Sequence, residues 1–239
     1  IRSKPEFGDK VSASWSVMGG AAEDVVTLQG GAYDLIVVSH PENMATSLSR
    51  VTAEAAIFAT GRPVLIAPPI PPKTIGETVL IGWNRSAAAA RAFHAAKALL
   101  LARAKKVRIL AVATGAKTGP SVQQIADNLA WHGIEAEVRE IPPDYRSVGE
   151  VVLDEAKTFD ADLIVMGAYS RSRIRQMILG GVTQYMFAHA ALPVFMAHGS
   201  MDPLVPLLIG VAAADELRAW GYAPEWHDYP MAHAVCPEE

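Results

Sequence analysis

The chain has 239 residues, of which 51% are hydrophobic and 19% charged, and its formal net charge is −4. This composition favours one large folded domain or two small ones and argues against general disorder. The slight negative charge and short basic clusters give no electrostatic basis for binding nucleic acid. The single cysteine, Cys236, excludes an internal disulfide framework, and no apolar run suffices for a membrane-spanning helix. We therefore expect a cytoplasmic protein.

Short apolar, β-branched runs alternate with amphipathic stretches of helical length along the whole chain. Apolar runs of about four to eight residues between helices are typical of parallel strands buried on both faces. The predicted strands are Val11–Val17, Asp34–Ser39, Pro63–Pro68, Thr78–Trp83, Lys106–Thr114, Glu135–Ile141, Asp162–Gly167, Pro193–His198 and Pro224–Tyr229. The predicted helices are Ala21–Ala32, Asn43–Ala59, Ala87–Ala104, Ser121–Trp131, Ser147–Phe159, Thr183–His189 and Pro206–Trp220. This alternation predicts right-handed crossovers and a doubly wound α/β sheet.

An internal repeat lies on the two sides of a proline-rich linker. The linker is the run Pro68–Thr74, since proline breaks both regular structures. The segment 34–38, Asp-Leu-Ile-Val-Val, recurs at 162–166 as Asp-Leu-Ile-Val-Met. Each copy is followed by a polar loop, a helix and a strand that opens at a proline, Pro63 or Pro193. The copies are about 130 residues apart, which is the size of a domain.

The two copies differ in completeness. The second spans five strand–helix steps, whereas the first contains only the last three strands. Three strands without their neighbours leave an open sheet edge and an unfinished core. We expect either that the rest of the first copy was lost or that something else covers this edge.

The run 79–86, Val-Leu-Ile-Gly-Trp-Asn-Arg-Ser, the run 162–170 and Gly180-Gly181-Val182-Thr183 together resemble the universal stress protein family. The resemblance implies a complete domain over 78–198 and a partial repeat over 1–69, joined by a linker at 70–77. It also implies a doubly wound parallel sheet with the strand order 3-2-1-4-5. Members with two repeats usually place the fifth-strand edge of one repeat against the other.

Nucleotide-binding members of that family carry a loop written G-x2-G-x9-G-[ST]. Its glycines let backbone N–H groups approach phosphate at the start of a helix. In this chain Gly167 matches the first glycine and Gly180 the third. Ser170 replaces the second glycine and Gly181 replaces the hydroxyl residue, although Thr183 lies two positions further on. The resemblance therefore implies an adenine nucleotide site in which two loop positions depart from the pattern.

Contacts to the base are implied at two further positions. Asn84 stands where the family usually has an aspartate that contacts adenine, and Val112 matches the backbone contact to the base. Within the loop, Arg173 lies between Arg171 and Arg175. Guanidinium groups there would compensate for the missing glycine by binding phosphate, or they would be solvated side chains of a surface loop. The implied ligand is ATP, and no residue spacing suggests a metal site.

The last residues resemble a different family. The runs 195–206 and 221–233 are similar to the acid strand and the histidine loop of bacterial carboxylesterases of the α/β-hydrolase fold. By motif position, Asp202 corresponds to the triad acid and His233 to the triad base. Segment 199–239 could extend the stress-protein-like sheet by one helix and one strand beyond its fifth strand.

A nucleophile for this acid and base is difficult to find. The hydrolase fold presents its serine in a G-x-S-x-G turn, and this sequence contains none. Ser86, which follows the first strand of the complete repeat, would lie nearest to the required place, two strands from the acid strand. It lacks the flanking glycines and an oxyanion-hole loop. We therefore interpret Asp202 and His233 as a vestigial pair.

Three functions remain open at this point. We expect a non-catalytic, stress-protein-like module that binds an adenine nucleotide weakly, in a recombined, truncated or engineered chimeric chain that starts without Met. The alternatives are a carboxylesterase that uses Asp202 and His233 with an unidentified serine, and a folded chimera without a ligand. We also expect a homodimer through exposed sheet edges.

Overall fold

The structure is a computed structural model that describes residues 13–40, 48–113, 119–142, 145–168 and 181–197. Its strands are β1 (Ile36–Ser39), β2 (Val64–Ala67), β3 (Thr78–Gly82), β4 (Lys106–Val112), β5 (Glu137–Ile141), β6 (Leu163–Gly167) and β7 (Val194–Ala197). Its α-helices are α1 (Ala22–Gln29), α2 (Leu48–Ala59), α3 (Ala87–Leu99), α4 (Val122–Ala130), α5 (Val148–Thr158) and α6 (Gly181–His189). The strands form one sheet in the order β1-β2-β7-β6-β3-β4-β5.

The larger part of the sheet has the predicted topology. Strands β5, β4, β3, β6 and β7 are neighbours and all pair in parallel. Numbered from β3 as the first strand, this order is 3-2-1-4-5, which confirms the predicted doubly wound α/β fold. The apolar runs of the central strands β3 and β6 are buried, as parallel strands with helices on each face require.

The two parts of the sheet meet through an antiparallel pair, β2 with β7. Leu65 lies opposite Phe195, and these residues occupy the same position after the proline in each copy of the sequence repeat. The outer edge of β7 is therefore taken by β2. The sequence left open whether the C-terminal segment or the other repeat takes the edge of the fifth strand, and since a strand has only two edges, β2 of the other repeat takes it over the paired residues. The predicted helix and strand of that segment, Pro206–Trp220 and Pro224–Tyr229, lie outside the described residues.

The predicted strand Val11–Val17 is also wrong over its described part. Residues 13–19 form no regular element, and Trp15 is 91% exposed. The sequence alternates as a strand should, but backbone N–H and C=O groups need a neighbouring strand. The corresponding strand of the complete repeat, β5, obtains that neighbour from β4. The described residues provide none for this segment.

Helices cover the two sheet faces unequally. One core layer contains Ala92 and Phe93 of α3 with Leu129 of α4. The other contains Ile57 of α2 and Phe187 of α6, together with residues of α5 and, at its margin, α1. Four described helices thus pack on one face and two on the other. Helix α3 reaches β6 and β7.

Serine caps fix where three helices begin. The Ser86 hydroxyl oxygen accepts the N–H of Ala89, and Ser121 and Ser147 make the same bond at α4 and α5. At α4 and α5 a Gln or Glu side chain also accepts the cap residue's own N–H, which completes a capping box. The predicted helix Ala87–Ala104 divides into α3 and a short 3-10 turn, Leu101–Arg103. No described helix is long and apolar enough to span a membrane.

Candidate nucleotide site at the carboxyl edge of the sheet

The turn from β3 into α3 is built by short-range hydrogen bonds. The Oδ1 atom of Asn84 accepts the N–H of Ser86 at 3.1 Å, and Arg85 between them has a φ of 63°. Ser86 then caps the helix through Ala89, also at 3.1 Å. The first turn of α3 carries no acidic side chain. No acidic side chain therefore neutralises the positive end of the helix dipole, which favours an anion, although Ser86 already accepts the N–H of Ala89.

Trp83 ties this turn to the loop that leads into α4. Its ring is 3% exposed and packs edge-on against Phe93, with centroids 6.2 Å apart. The indole N–H donates to the carbonyl oxygen of Pro120 at 2.9 Å. Gly119 has a φ of +107°, and a Cβ there would lie 2.5 Å from the carbonyl oxygen of Arg85. Only glycine lets these two loops approach so closely.

Gly167 forms a second close approach, between the end of β6 and the start of α3. A Cβ at Gly167 would lie 2.4 Å from the backbone N of Ala89 and 2.6 Å from the carbonyl carbon of Ala88. Ala168, the next residue, is fully buried. The β6 backbone is thus pressed against the N-terminal turn of α3, and any side chain at position 167 would separate them.

The strand register brings these features to one place. Gly82 of β3 lies level with Leu110 of β4 and Met166 of β6, so the chain segments that follow all leave the same edge. Asn84 and Val112 are each two residues beyond this line, and Gly167 is one residue beyond it. Helix α3 leaves β3 toward one face of the sheet, whereas α6, after β6, packs on the other. Ligands of doubly wound folds bind where such crossovers diverge.

The structure brings some predicted site residues together and leaves others undescribed. Asn84, Val112 and Gly167 lie at the same edge of the sheet, at or just beyond the carboxyl ends of β3, β4 and β6. Gly181 begins α6, and the Thr183 side chain is buried, with 2% exposed. Predicted residues outside the described part of the chain are Ser170, Arg173 and Gly180 of the loop, and Asp202 and His233 of the C-terminal segment.

Sequence reasoning missed residues that hold the loops at this edge of the sheet together. Trp83 and the Gly119-Pro120 pair form its second loop contact, and Arg85 supplies the left-handed turn. A glycine and proline next to the capping signal of α4 was a visible turn signal. The partner of that turn was not visible, since it lies on another loop. The described residues contain no cluster of three or more His, Cys, Asp or Glu side chains that could hold a metal ion.

Comparisons with known proteins agree with a doubly wound α/β fold. The profile of the universal stress protein family matches residues 77–198, about half of the chain. The chain belongs to the universal stress protein family. A universal stress protein from Archaeoglobus fulgidus DSM 4304 superposes with a TM-score of 0.56 and 18% identity, over 73% of this chain and 66% of that one. A protein of unknown function from Pseudomonas aeruginosa PAO1 superposes with a TM-score of 0.51 and 15% identity, over 85% of this chain and 74% of the other.

A second family matches the C-terminal part. The phospholipase/carboxylesterase profile covers residues 175–239 and overlaps the end of the stress protein domain. Acyl-protein thioesterase 1 from Gibberella zeae is 43% identical over 53 residues, which are 22% of this chain and 23% of the thioesterase. The chain thus spans about a quarter of that relative's length. These matches fit a chimera of a stress protein domain and part of a hydrolase.

Proposed function

We propose that this chain is a non-catalytic, cytoplasmic module that binds an adenine nucleotide, ATP, weakly at the carboxyl edge of β3, β4 and β6. The observation that carries the proposal is the strand register, which brings the chain after β3, β4 and β6 to one edge, where α3 and α6 diverge to opposite faces. Gly167 lies at this point, and its lack of a side chain lets the β6 backbone meet the first turn of α3. A phosphate group favours such a place because backbone N–H groups and the helix dipole act on it together.

The residues at this edge also account for weak binding. In the resemblance, an aspartate contacts adenine at the position of Asn84, and the amide carries no charge to strengthen that contact. The Oδ1 atom of Asn84 already accepts the N–H of Ser86. Val112 would offer only its backbone to the base. We expect an affinity in the millimolar range, which corresponds to about −4 kcal/mol.

Arg173 would bind the phosphates from the loop between β6 and α6. The loop has Ser170 in place of a glycine, so one backbone approach to phosphate is lost. A guanidinium group restores a charge-assisted contact without requiring that approach. Gly180 would complete the proposed loop together with Gly181 and Thr183, which lie in the first turn of α6.

A thermal shift series with ATP tests this proposal. We expect millimolar ATP to raise the melting temperature of the chain, and Arg173→Ala to reduce that rise. Arg103→Ala is the matched control, because Arg103 is an exposed arginine in the 3-10 turn after the other end of α3. No shift at millimolar ATP would reject nucleotide binding, and equal loss in both variants would reject the role of Arg173.

The match to the phospholipase/carboxylesterase family favours a second candidate function, hydrolysis of short acyl esters. Asp202 would orient His233, and His233 would deprotonate a serine. Ser86 is the nearest candidate nucleophile, but its oxygen already caps α3 through Ala89. We favour a vestigial pair, since the serine hydroxyl has a structural role.

Turnover of p-nitrophenyl acetate separates the two functions. We expect the same slow rate in the wild type and in His233→Ala. A rate that disappears in the variant would establish the hydrolase. Absence of both turnover and an ATP shift would leave a folded chimera without a ligand.

The expected homodimer stays a prediction. Two strands at the sheet ends, β1 and β5, have an open edge among the described residues. We interpret residues 1–69 as a partial repeat whose β1 and β2 correspond to β6 and β7. Sedimentation velocity over a concentration series measures whether either edge joins two chains.

A further inference from the structure

The two copies of the Asp-Leu-Ile-Val sequence have different neighbours. Strand β6 pairs with β3 on one side and β7 on the other. Among the described residues, strand β1 pairs with β2 alone, and it ends the sheet. As a result Val165 is fully buried, whereas Val37 at the same position of the copy is 58% exposed. One side of β1 is therefore open where β6 has a parallel partner.

The aspartate that precedes each strand shows what this open side is built to hold. The Asp162 carboxylate accepts three successive backbone N–H groups at the start of β3, from Gly76 at 3.0 Å, Glu77 at 3.1 Å and Thr78 at 2.9 Å. It thereby fixes both the position and the register of that parallel strand. Asp34 occupies the same place before β1, it is exposed, and no described residue donates a hydrogen bond to it.

The backbone of β1 is also oriented for a new strand. The N–H of Ile36 donates to the oxygen of Pro63, just before β2, and the N–H of His40 donates to the oxygen of Ala67, the last residue of β2. Since N–H groups alternate in direction along a parallel strand, those of Val37 and Ser39 point to the open edge. Unpaired edge groups of this kind are a template for another strand.

The opposite edge of the sheet is protected, and β1 is not. Strand β5 carries the charged residues Glu137, Arg139 and Glu140, a common means of preventing edge pairing. Strand β1 has the sequence Ile-Val-Val-Ser and no charge. Of the two edges, β1 is therefore the one at which a strand can add.

We propose that β1 and Asp34 form an acceptor site for a parallel β-strand of a partner protein, bound as β3 is bound by β6 and Asp162. The partner segment is extended, largely apolar and uncharged, and presents three successive N–H groups to the Asp34 carboxylate. Position 39 restricts the partner further. At the end of β6, Gly167 has no side chain, and this lets the helix that follows β3, α3, pack closely against it. At the end of β1 the corresponding residue is Ser39, whose side chain would keep such a helix away. The partner is thus a strand that does not turn back into a tightly packed helix.

A peptide with the sequence of residues 75–83, which includes β3, is the probe. It would be labelled with a fluorophore at its C-terminus, which leaves its first N–H groups accessible, and titrated with the full chain by fluorescence anisotropy. We expect saturable binding, and no binding of a scrambled peptide. Asp34→Asn removes the charged acceptor and should weaken binding about tenfold. Asp127→Asn, an exposed aspartate on α4, is the matched control and should change nothing.

A second variant tests the backbone directly. Val37→Pro removes an N–H that points away from β2, so proline is tolerated at this edge while strand addition is blocked. Circular dichroism establishes that each variant is folded. Binding that survives Val37→Pro, equal binding by Asp34→Asn, or no saturable binding by the folded wild type would overturn the proposal. The proposal would also be overturned if the chain binds itself at this edge. In that case the wild type self-associates, Val37→Pro does not, and the self-associated chain does not bind the peptide.

Discussion

Strands β1 and β6 have nearly the same sequence and opposite surroundings. In β6 four of five residues are buried, while β1 alternates between half-buried and exposed. The difference comes from neighbours: β6 lies between two strands and under α3, whereas in the described part of the chain β1 has one strand neighbour and helices on one face only. An apolar sequence of this kind is typical of a central strand, but the strand is buried only where other strands and helices of the chain pack against it.

The largest expected difference in stability between substitutions in the two copies is at the residue that follows the apolar run, Gly167 in one copy and Ser39 in the other. Gly167→Ala places a Cβ 2.4 Å from the backbone of α3, so the helix must move, and we expect a loss of about 3 kcal/mol in the free energy of unfolding. Ser39→Ala at the corresponding position should change it by less than about 0.5 kcal/mol. Urea denaturation measures both, and a Gly167→Ala variant as stable as Ser39→Ala would show that α3 does not press on β6.

The next largest difference in stability is expected between substitutions of the two aspartates that precede β6 and β1, Asp162 and Asp34. Asp162→Ala leaves three N–H groups at the start of β3 without their charged acceptor, and we expect a loss of about 2 kcal/mol. Asp34→Ala should stay within about 0.5 kcal/mol of the wild type, because no described group donates to it. Equal losses in the two variants would mean that Asp34 already holds a strand.

The central valines provide a purely apolar version of the same comparison. Val165→Ala removes two buried methyl groups and leaves a cavity between β6 and α3, which should cost about 2 kcal/mol. Val37→Ala, half exposed already, should cost less than about 0.5 kcal/mol. Thermal unfolding of the pair checks this, and a large loss in Val37→Ala would show that its face is covered in solution.

The smallest expected effect is a titration on α3, the helix that covers β6 and not β1. Desolvation first, and then the charge of Lys97, lowers the pKa of His94 below its usual 6.5. The fold therefore favours neutral His94. Its contribution to stability is complete above the unfolded pKa and is lost as the pH falls through the lower folded pKa. An NMR titration measures the folded value, and a pKa at or above about 6.5 would contradict this environment.

The sequence predicted the local elements of the complete repeat and their order, because strand and helix periods, serine caps and prolines are local signals. It could not predict whether Val11–Val17 pairs, since that depends on a neighbouring strand. For the same reason the sequence could not predict which segment pairs with the outer edge of β7, where the structure places β2. At the candidate site, Asn84, Val112 and Gly167 were found by motif position. Trp83 and Gly119 were missed because their role depends on contacts between loops.

A two-dimensional ¹H–¹⁵N NMR titration with ATP tests the central claim most directly. The account predicts saturable shifts at the backbone amides of Asn84, Val112 and Gly167 at millimolar ATP, with Ser39 and His40 at the end of β1 unchanged. Absence of saturable shifts, or equal shifts at the ends of β6 and β1, would contradict a nucleotide site formed at the crossover point of this sheet.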